Sequence, residues 1–154
     1  MHHLYIMRHG MAQSQAPSDE LRPLTQSGAH QAFNSAKQYL AGIKFDYIFV
    51  SPYLRAQQTF AQVEAALVKY TDMKTVNWAT PDVPTQPAID ALMALSGKEL
   101  NILVVCHQTF AGRLATQLCD GNERGMHVDT ANIVKIQAEI FASQCGIFQE
   151  MFVD

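Results

Sequence analysis

Three short apolar runs in this sequence are each followed, within five residues, by a histidine or an arginine that can bind an anion. The runs lie at 4–7, 47–50 and 102–105. The basic residues that follow them are Arg8, His9, Arg55 and His107. One guanidinium group can donate two hydrogen bonds to two phosphate oxygens at once, so arginine suits a compact oxyanion. If the three runs share one edge of a sheet, their basic residues predict an anion site there, with phosphate as the obvious ligand.

The elements around these runs predict that they do share an edge. Short apolar runs alternate with amphipathic helical stretches, a pattern typical of a mostly parallel sheet covered by helices on both faces. The carboxyl ends of parallel strands lie along one edge, and open α/β sheets bind ligands in the crevice there. Two helices are expected to begin at the same edge, near Tyr53 and Thr109. The positive ends of their dipoles favour an anion.

Periodicity predicts six strands and four helices in a single domain that covers residues 1–154. The strands are expected at 4–7, 47–50, 74–77, 102–105, 132–136 and 147–152. The helices are expected at 26–41, from just after Pro52 to about 68, around 89–93, and at 109–119. Thr25 is a plausible N-cap of the first helix, and Gly42 stands where a terminal left-handed glycine would. Residues 10–23 and 80–86 are expected to be loops.

Composition argues against several classes of protein. The formal net charge of −3, without a basic stripe, argues against nucleic-acid binding. No apolar stretch approaches the roughly 18 residues of a membrane span. The three cysteines are odd in number and widely spaced, which favours reduced thiols and a cytoplasmic protein. No metal-ligand spacing and no nucleotide-binding motif is present, so neither a metal nor another cofactor is expected.

The basic residues at the strand ends also stand in blocks that resemble a known family. Arg8-His9-Gly10 follows the first apolar run, residues 51–59 read SPYLRAQQT, and His107 closes the third run. These blocks are similar to the signature of the histidine phosphatase superfamily, whose second block reads S-x-x-x-R-A-x-Q-T. The resemblance implies a phosphoglycerate mutase-like α/β fold, a three-layer α/β/α sandwich with a mostly parallel central sheet.

Within that superfamily, the chain resembles the SixA-type phosphohistidine phosphatases. The short length supports this, as do LRPLTQSG at 21–28 and Thr130-Ala131-Asn132 before a late strand. Two positions depart from the pattern. Many relatives carry an acidic residue where this chain has Met11, and Gln108-Thr109 replaces a small or proline-containing sequence. Both departures border the expected pocket, so they bear on substrate identity more than on catalytic chemistry.

The resemblance implies a role for each basic residue. His9 is the nucleophile that carries a covalent phosphohistidine, Arg8 and Arg55 bind the phosphoryl oxygens, and His107 adds a donor if it is protonated. Arg22 is a fourth contact or a steering group. The implied substrate is a phosphorelay or signalling protein that presents a phosphohistidine, such as a histidine phosphotransfer domain.

Two other functions stay open at this stage. A small-molecule phosphoester phosphatase needs an acid to protonate its leaving group, and the stretch 77–81 contains no carboxylate. A phosphohistidine leaves as an imidazole that can be protonated beforehand, so the missing acid favours it. Asp19, Glu20 and Asp82 remain candidate acids. A non-catalytic phospho-binding module would use the same basic residues without turnover.

Overall fold

A six-stranded sheet forms the centre of the protein, and the computed structural model describes residues 1–154. The strands are β1 (His2–Arg8), β2 (Lys44–Val50), β3 (Lys69–Thr75), β4 (Asn101–Cys106), β5 (Ile133–Ala138) and β6 (Gly146–Phe152). The helices are α1 (Gln26–Tyr39), α2 (Leu54–Ala65), α3 (Gln86–Met93) and α4 (Phe110–Asp120). Short 3-10 turns lie at Asp19–Leu21 and Asn77–Ala79. None of the helices combines the length and the apolar character needed to cross a membrane.

The sheet is mostly parallel, as predicted. Its strand order is β3-β2-β4-β1-β5-β6, and the first four of these strands are parallel to one another. β5 runs antiparallel to β1, and β6 antiparallel to β5. Each connection between consecutive parallel strands contains a helix, since a parallel pair cannot be joined by a tight turn.

The central strands bury side chains on both faces, which explains why they appear in the sequence as continuous apolar runs. In β1, Leu4 and Ile6 pack into one apolar cluster, whereas Tyr5 and Met7 pack into a second cluster on the opposite face. α3 and α4 cover the first cluster, and α1 and α2 cover the second. The predicted three-layer α/β/α sandwich is therefore confirmed.

The predicted position of the third strand is wrong. It covers Lys69–Thr75, not 74–77. β3 lies at the edge of the sheet and has no fully buried residue, so its side chains are mostly polar. No apolar run marks it in the sequence for that reason.

The predicted end of the first helix is also wrong. Thr25 caps the start of α1 as expected, because its side chain accepts a hydrogen bond from the Gly28 N–H. The helix ends at Tyr39, however, and Gly42 does not take the left-handed conformation of a terminal glycine. A turn closed by the bond from the Ile43 N–H to the Leu40 carbonyl leads into β2 without one.

The carboxyl ends of β2, β4 and β1 lie side by side because these strands are neighbours in the sheet. Backbone hydrogen bonds continue just past the strand ends. The Ser51 N–H donates to the Val105 carbonyl at 3.0 Å, and the His9 N–H donates to the Cys106 carbonyl at 2.9 Å. The three sequence-distant segments are thus held at one edge, as predicted.

Candidate active site

His9 lies at the centre of this edge and is 5% exposed. Its Nδ1 is 2.6 Å from the Gly10 carbonyl oxygen, which can only accept, so Nδ1 carries the ring proton. The lone pair is then on Nε2, and the Arg55 Nε–H donates to it at 3.2 Å. Burial lowers the pKa of His9 to about 4; the Gly10 bond opposes this shift, and the charges of Arg55 and Arg8 add to it. His9 is therefore a neutral imidazole with a nucleophilic Nε2.

The Gly10 peptide that fixes this tautomer is itself held in place. The Gly10 N–H donates to Thr59 Oγ1 at 3.0 Å, and the Thr59 hydroxyl donates to the Arg55 carbonyl at 2.8 Å. Both bonds are buried. A Cβ at position 10 would collide with the carbonyl oxygen of Gly28 at the start of α1. Glycine at position 10 thus allows α1 to pack directly against the loop that carries His9.

His107 faces His9, with ring centroids 5.1 Å apart. Its Nε2 lies 2.7 Å from Ser51 Oγ, which also accepts the Tyr53 N–H at 3.3 Å. The Ser51 hydroxyl has no other acceptor, so its own proton is satisfied only by donation to Nε2. The ring proton of His107 is then on Nδ1, and this atom is buried without a partner in the chain.

His107 is neutral, whereas the sequence predicts that it acts as a donor in its protonated form. Burial lowers the pKa of His107, and the charges of Arg55 and Arg8 lower it further. The ring is therefore neutral. It still offers a donor, because the Ser51 contact places the single ring proton on Nδ1.

Arg8 contributes a second donor without a partner. Its Nη1 donates to the Val128 carbonyl at 3.1 Å, and the Asp129 carboxylate lies 3.9 Å away. Its Nε is buried and unpaired. Three buried side-chain polar atoms in the protein lack partners, and two of them, Arg8 Nε and His107 Nδ1, belong to this site. Because a buried unpaired donor is costly, this pair indicates a site that accommodates an anion.

Arg55 is 3% exposed, and Asp19 holds its outer end. The Arg55 Nη1 donates to the Asp19 carbonyl oxygen at 2.7 Å, and Nη2 donates to Asp19 Oδ2 at 3.2 Å. Arg22 joins the site through the same carboxylate, since its Nε donates to Asp19 Oδ1 at 2.9 Å. The structure therefore brings Arg22 to the mouth of the site together with the other predicted residues.

The three candidate acids are all exposed. Burial by itself raises the pKa of Asp19, but the hydrogen bond from Arg22 and the charge of Arg55 outweigh it and lower the pKa overall. Asp19 is therefore ionised and has no proton to donate. Burial raises the pKa of Tyr53, and the charges of Glu20 and Asp19 raise it further.

Several residues that shape the site were not assigned a role from the sequence. Ser51 and Thr59 are the first and last residues of the block at 51–59, so the block itself contained the signal. Val128 and Asp129, which hold Arg8, lie in an irregular segment without a recognisable motif. Only the folded chain brings that segment next to β1.

Known proteins resemble the chain in both sequence and structure. The model of the histidine phosphatase superfamily (branch 1) matches residues 4–76. The phosphohistidine phosphatase SixA homolog of Haemophilus influenzae is 37% identical over 124 residues, which cover 75% of this chain and 76% of that protein. The chain belongs to the histidine phosphatase superfamily, in its SixA branch. Phosphohistidine phosphatase SixA of Escherichia coli is 32% identical over 131 residues, covering 83% and 81% of the two chains.

Two solved phosphatase structures share the fold. The protein histidine phosphatase SixA complexed with tungstate superposes with a TM-score of 0.84 at 29% identity, over 97% of this chain and 95% of that one. A phosphoserine phosphatase from Entamoeba histolytica gives a TM-score of 0.75 at 16% identity, over 100% and 98% of the two chains. At that identity the second likeness shows the fold alone.

Ser51→Ala is expected to lower kcat about 10- to 100-fold, because His107 loses the contact that keeps its proton on Nδ1. The measurement is steady-state phosphate release. Ser35→Ala is the matched control, since Ser35 is also buried but its hydroxyl has no partner and lies on α1. Equal activity of the two variants would contradict the proposed role of Ser51.

Acid is expected to destabilise the folded protein because the pKa of its buried His9 is lowered. The pKa of His9 is about 4 in the folded protein against 6.5 ordinarily, so between these values the unfolded chain binds more protons. The free energy of unfolding therefore falls as the pH is lowered, by about 2 kcal/mol for His9 between pH 7 and pH 5. Urea unfolding at both pH values should show a smaller loss in His9→Gln. An identical loss in both proteins would contradict the lowered pKa.

Proposed function

We propose that this protein is a phosphohistidine phosphatase that hydrolyses phosphohistidine on a phosphorelay or signalling protein, with His9 as the nucleophile. The observation that carries the proposal is the neutral Nε2 of His9 beside two buried donors without partners, Arg8 Nε and His107 Nδ1. The names of the relatives from Haemophilus influenzae and Escherichia coli support the same activity. The SixA structure with tungstate, a tetrahedral oxyanion, supports a phosphoryl group as the ligand.

In the first step, Nε2 of His9 attacks the phosphorus of the substrate phosphohistidine. An Nε2–P bond forms, and the bond from phosphorus to the substrate imidazole breaks, with its electron pair leaving on that ring. The Arg55 Nε–H has to release Nε2 before the attack, and the phosphoryl oxygens offer it an anionic acceptor instead. The Gly10 carbonyl, which accepts the Nδ1–H, stabilises the positive charge that develops on the ring of His9.

In the second step, water attacks the phosphorus of phospho-His9. The P–Nε2 bond breaks, both protons of the water remain on the released phosphate, and His9 returns as a neutral imidazole with its proton on Nδ1. Arg8, Arg55 and the His107 Nδ1–H act in both steps by neutralising charge on the equatorial phosphoryl oxygens. The protein therefore contributes position and charge, with no resident cofactor in the scheme.

The absence of a buried acid supports an N–P substrate over an ester. Asp19 is ionised by its arginine partners, while Glu20 and Asp82 are exposed. An alkoxide leaving group needs a proton during cleavage, whereas the substrate imidazole can be protonated before it. The three free cysteines support the cytoplasm as the compartment of this reaction.

The test compares two substrates under the same conditions. One is a histidine phosphotransfer domain that carries phosphohistidine, and the other is a phosphoester with a poor leaving group, such as phosphoserine. We expect the first to be hydrolysed and the second to be turned over at least about 10³-fold more slowly in kcat/KM, an estimate in line with a missing general acid. Faster turnover of the ester would favour the small-molecule phosphatase, and hydrolysis of neither substrate would favour the binding module.

A further inference from the structure

The Asp19 carboxylate lies between two arginines of the site. Its Oδ1 accepts the Arg22 Nε–H at 2.9 Å, and its Oδ2 accepts an Arg55 Nη2–H at 3.2 Å. The side chain of Asp19 is 58% exposed, whereas that of Arg55 is 4% exposed. A half-exposed anion thus covers the outer end of a buried cation, in the place where a phosphoryl oxygen would need the same donors.

The donors of the two arginines are largely occupied in this state. Arg55 uses Nε on His9, Nη1 on the backbone carbonyl of Asp19, and Nη2 on its carboxylate. Arg22 uses Nε on the carboxylate and Nη1 on the Gln13 carbonyl. Rotation of the Asp19 side chain into solvent would free one donor on each arginine. The backbone carbonyl of Asp19 would still hold Arg55 in position.

We propose that the Asp19 carboxylate competes with the phosphoryl group for Arg22 and Arg55: it pairs with both arginines when no phosphoryl group is bound and releases them when one binds. The inference rests on the proposed function, since it assigns these arginines to phosphoryl binding. A phosphoryl group carries more negative charge than a carboxylate and offers three oxygens, so it displaces Asp19. After hydrolysis the carboxylate returns, and its repulsion of inorganic phosphate weakens product binding.

A competing role and an orienting role for Asp19 predict opposite results. If the carboxylate mainly orients Arg55, its removal leaves the arginine misplaced and weakens anion binding. If it competes, its removal frees two guanidinium donors and strengthens anion binding. Inorganic phosphate is the suitable probe, because its binding requires neither turnover nor a protein substrate.

The experiment measures the Kd of inorganic phosphate by titration calorimetry for the wild type, Asp19→Asn and Asp19→Ala. We expect both variants to bind phosphate about tenfold more tightly, the effect of removing one charge-assisted competitor. Glu20→Gln is the matched control: it removes the same charge one residue away, from a carboxylate that pairs with no arginine. Its Kd should stay within about twofold of the wild type, as is usual for an exposed, unpaired charge.

Unchanged or weaker phosphate binding in Asp19→Asn and Asp19→Ala would overturn the inference while leaving the proposed function intact. A gain of the same size in Glu20→Gln would overturn it as well, because the effect would then be general charge and not competition at the arginines. Failure of every protein, wild type included, to bind phosphate would overturn both the inference and the proposed anion site.

Discussion

Replacing His9 with alanine is expected to lower kcat/KM for phosphohistidine hydrolysis by at least about 10⁴-fold, the usual scale for loss of a covalent nucleophile. The remaining arginines can still bind the phosphoryl group, but no protein atom can form the intermediate. Phosphate release from a phosphorylated histidine phosphotransfer domain is the measurement. The effect should appear in kcat, since binding of the substrate is retained.

The control for this variant is His30→Ala, which removes a histidine from α1 outside the site. It should keep the activity of the wild type. His9→Ala should also still bind inorganic phosphate, which shows that the site remains folded. Residual activity of His9→Ala within about tenfold of the wild type would mean that another group, or water directly, attacks the phosphorus.

Arg55→Lys is expected to lower kcat/KM by about 10³-fold, the lower end of the range for an arginine that stabilises a transferring phosphoryl group. Lysine keeps the charge but cannot reach His9, the Asp19 carbonyl and a phosphoryl oxygen at once, as the planar guanidinium does. Phosphate release is measured as for His9→Ala. The loss should exceed that from a surface arginine because Arg55 also contacts the nucleophile.

Arg113→Lys is the matched control for Arg55→Lys. Arg113 is partly buried and, like Arg55, donates to backbone carbonyls, but its ion pair is with Glu123 and none of its hydrogen bonds goes to His9. We expect its kcat/KM to stay within about threefold of the wild type, as for a substitution outside the site. A loss in Arg55→Lys no larger than that in Arg113→Lys would contradict the role of the guanidinium in transition-state stabilisation.

The sequence predicts the centre of the fold well because the decisive strands are buried on both faces. The apolar runs that end at Met7, Val50 and Val105 could only be central strands of a parallel sheet, and their shared edge follows from topology. β3 was misplaced for the opposite reason. Its position depends on pairing with β2 at an exposed edge, where polar residues are tolerated and leave no pattern.

Some features of the candidate site could likewise be predicted from the sequence, and others could not. Arg8, His9 and His107 stand at or just past strand ends, and Arg55 lies in the first turn of the helix after β2, so their convergence could be predicted. The tautomer of His107 could not, since it depends on a hydroxyl 2.7 Å away that the fold brings from another strand end. The position of Asp19 was equally out of reach. It depends on a short 3-10 turn within the segment 10–23, and the spacing of residues does not predict the conformation of that segment.

The most direct test of the proposed mechanism is a rapid-quench search for the phosphoenzyme. Radiolabelled phosphohistidine protein is mixed with the enzyme and quenched in alkali, and the enzyme is then examined for label. We predict an acid-labile, alkali-stable phosphoryl group on Nε2 of His9 that forms before phosphate is released and is absent from His9→Ala. Release of phosphate at the full rate with no labelled enzyme at any time would contradict transfer through His9.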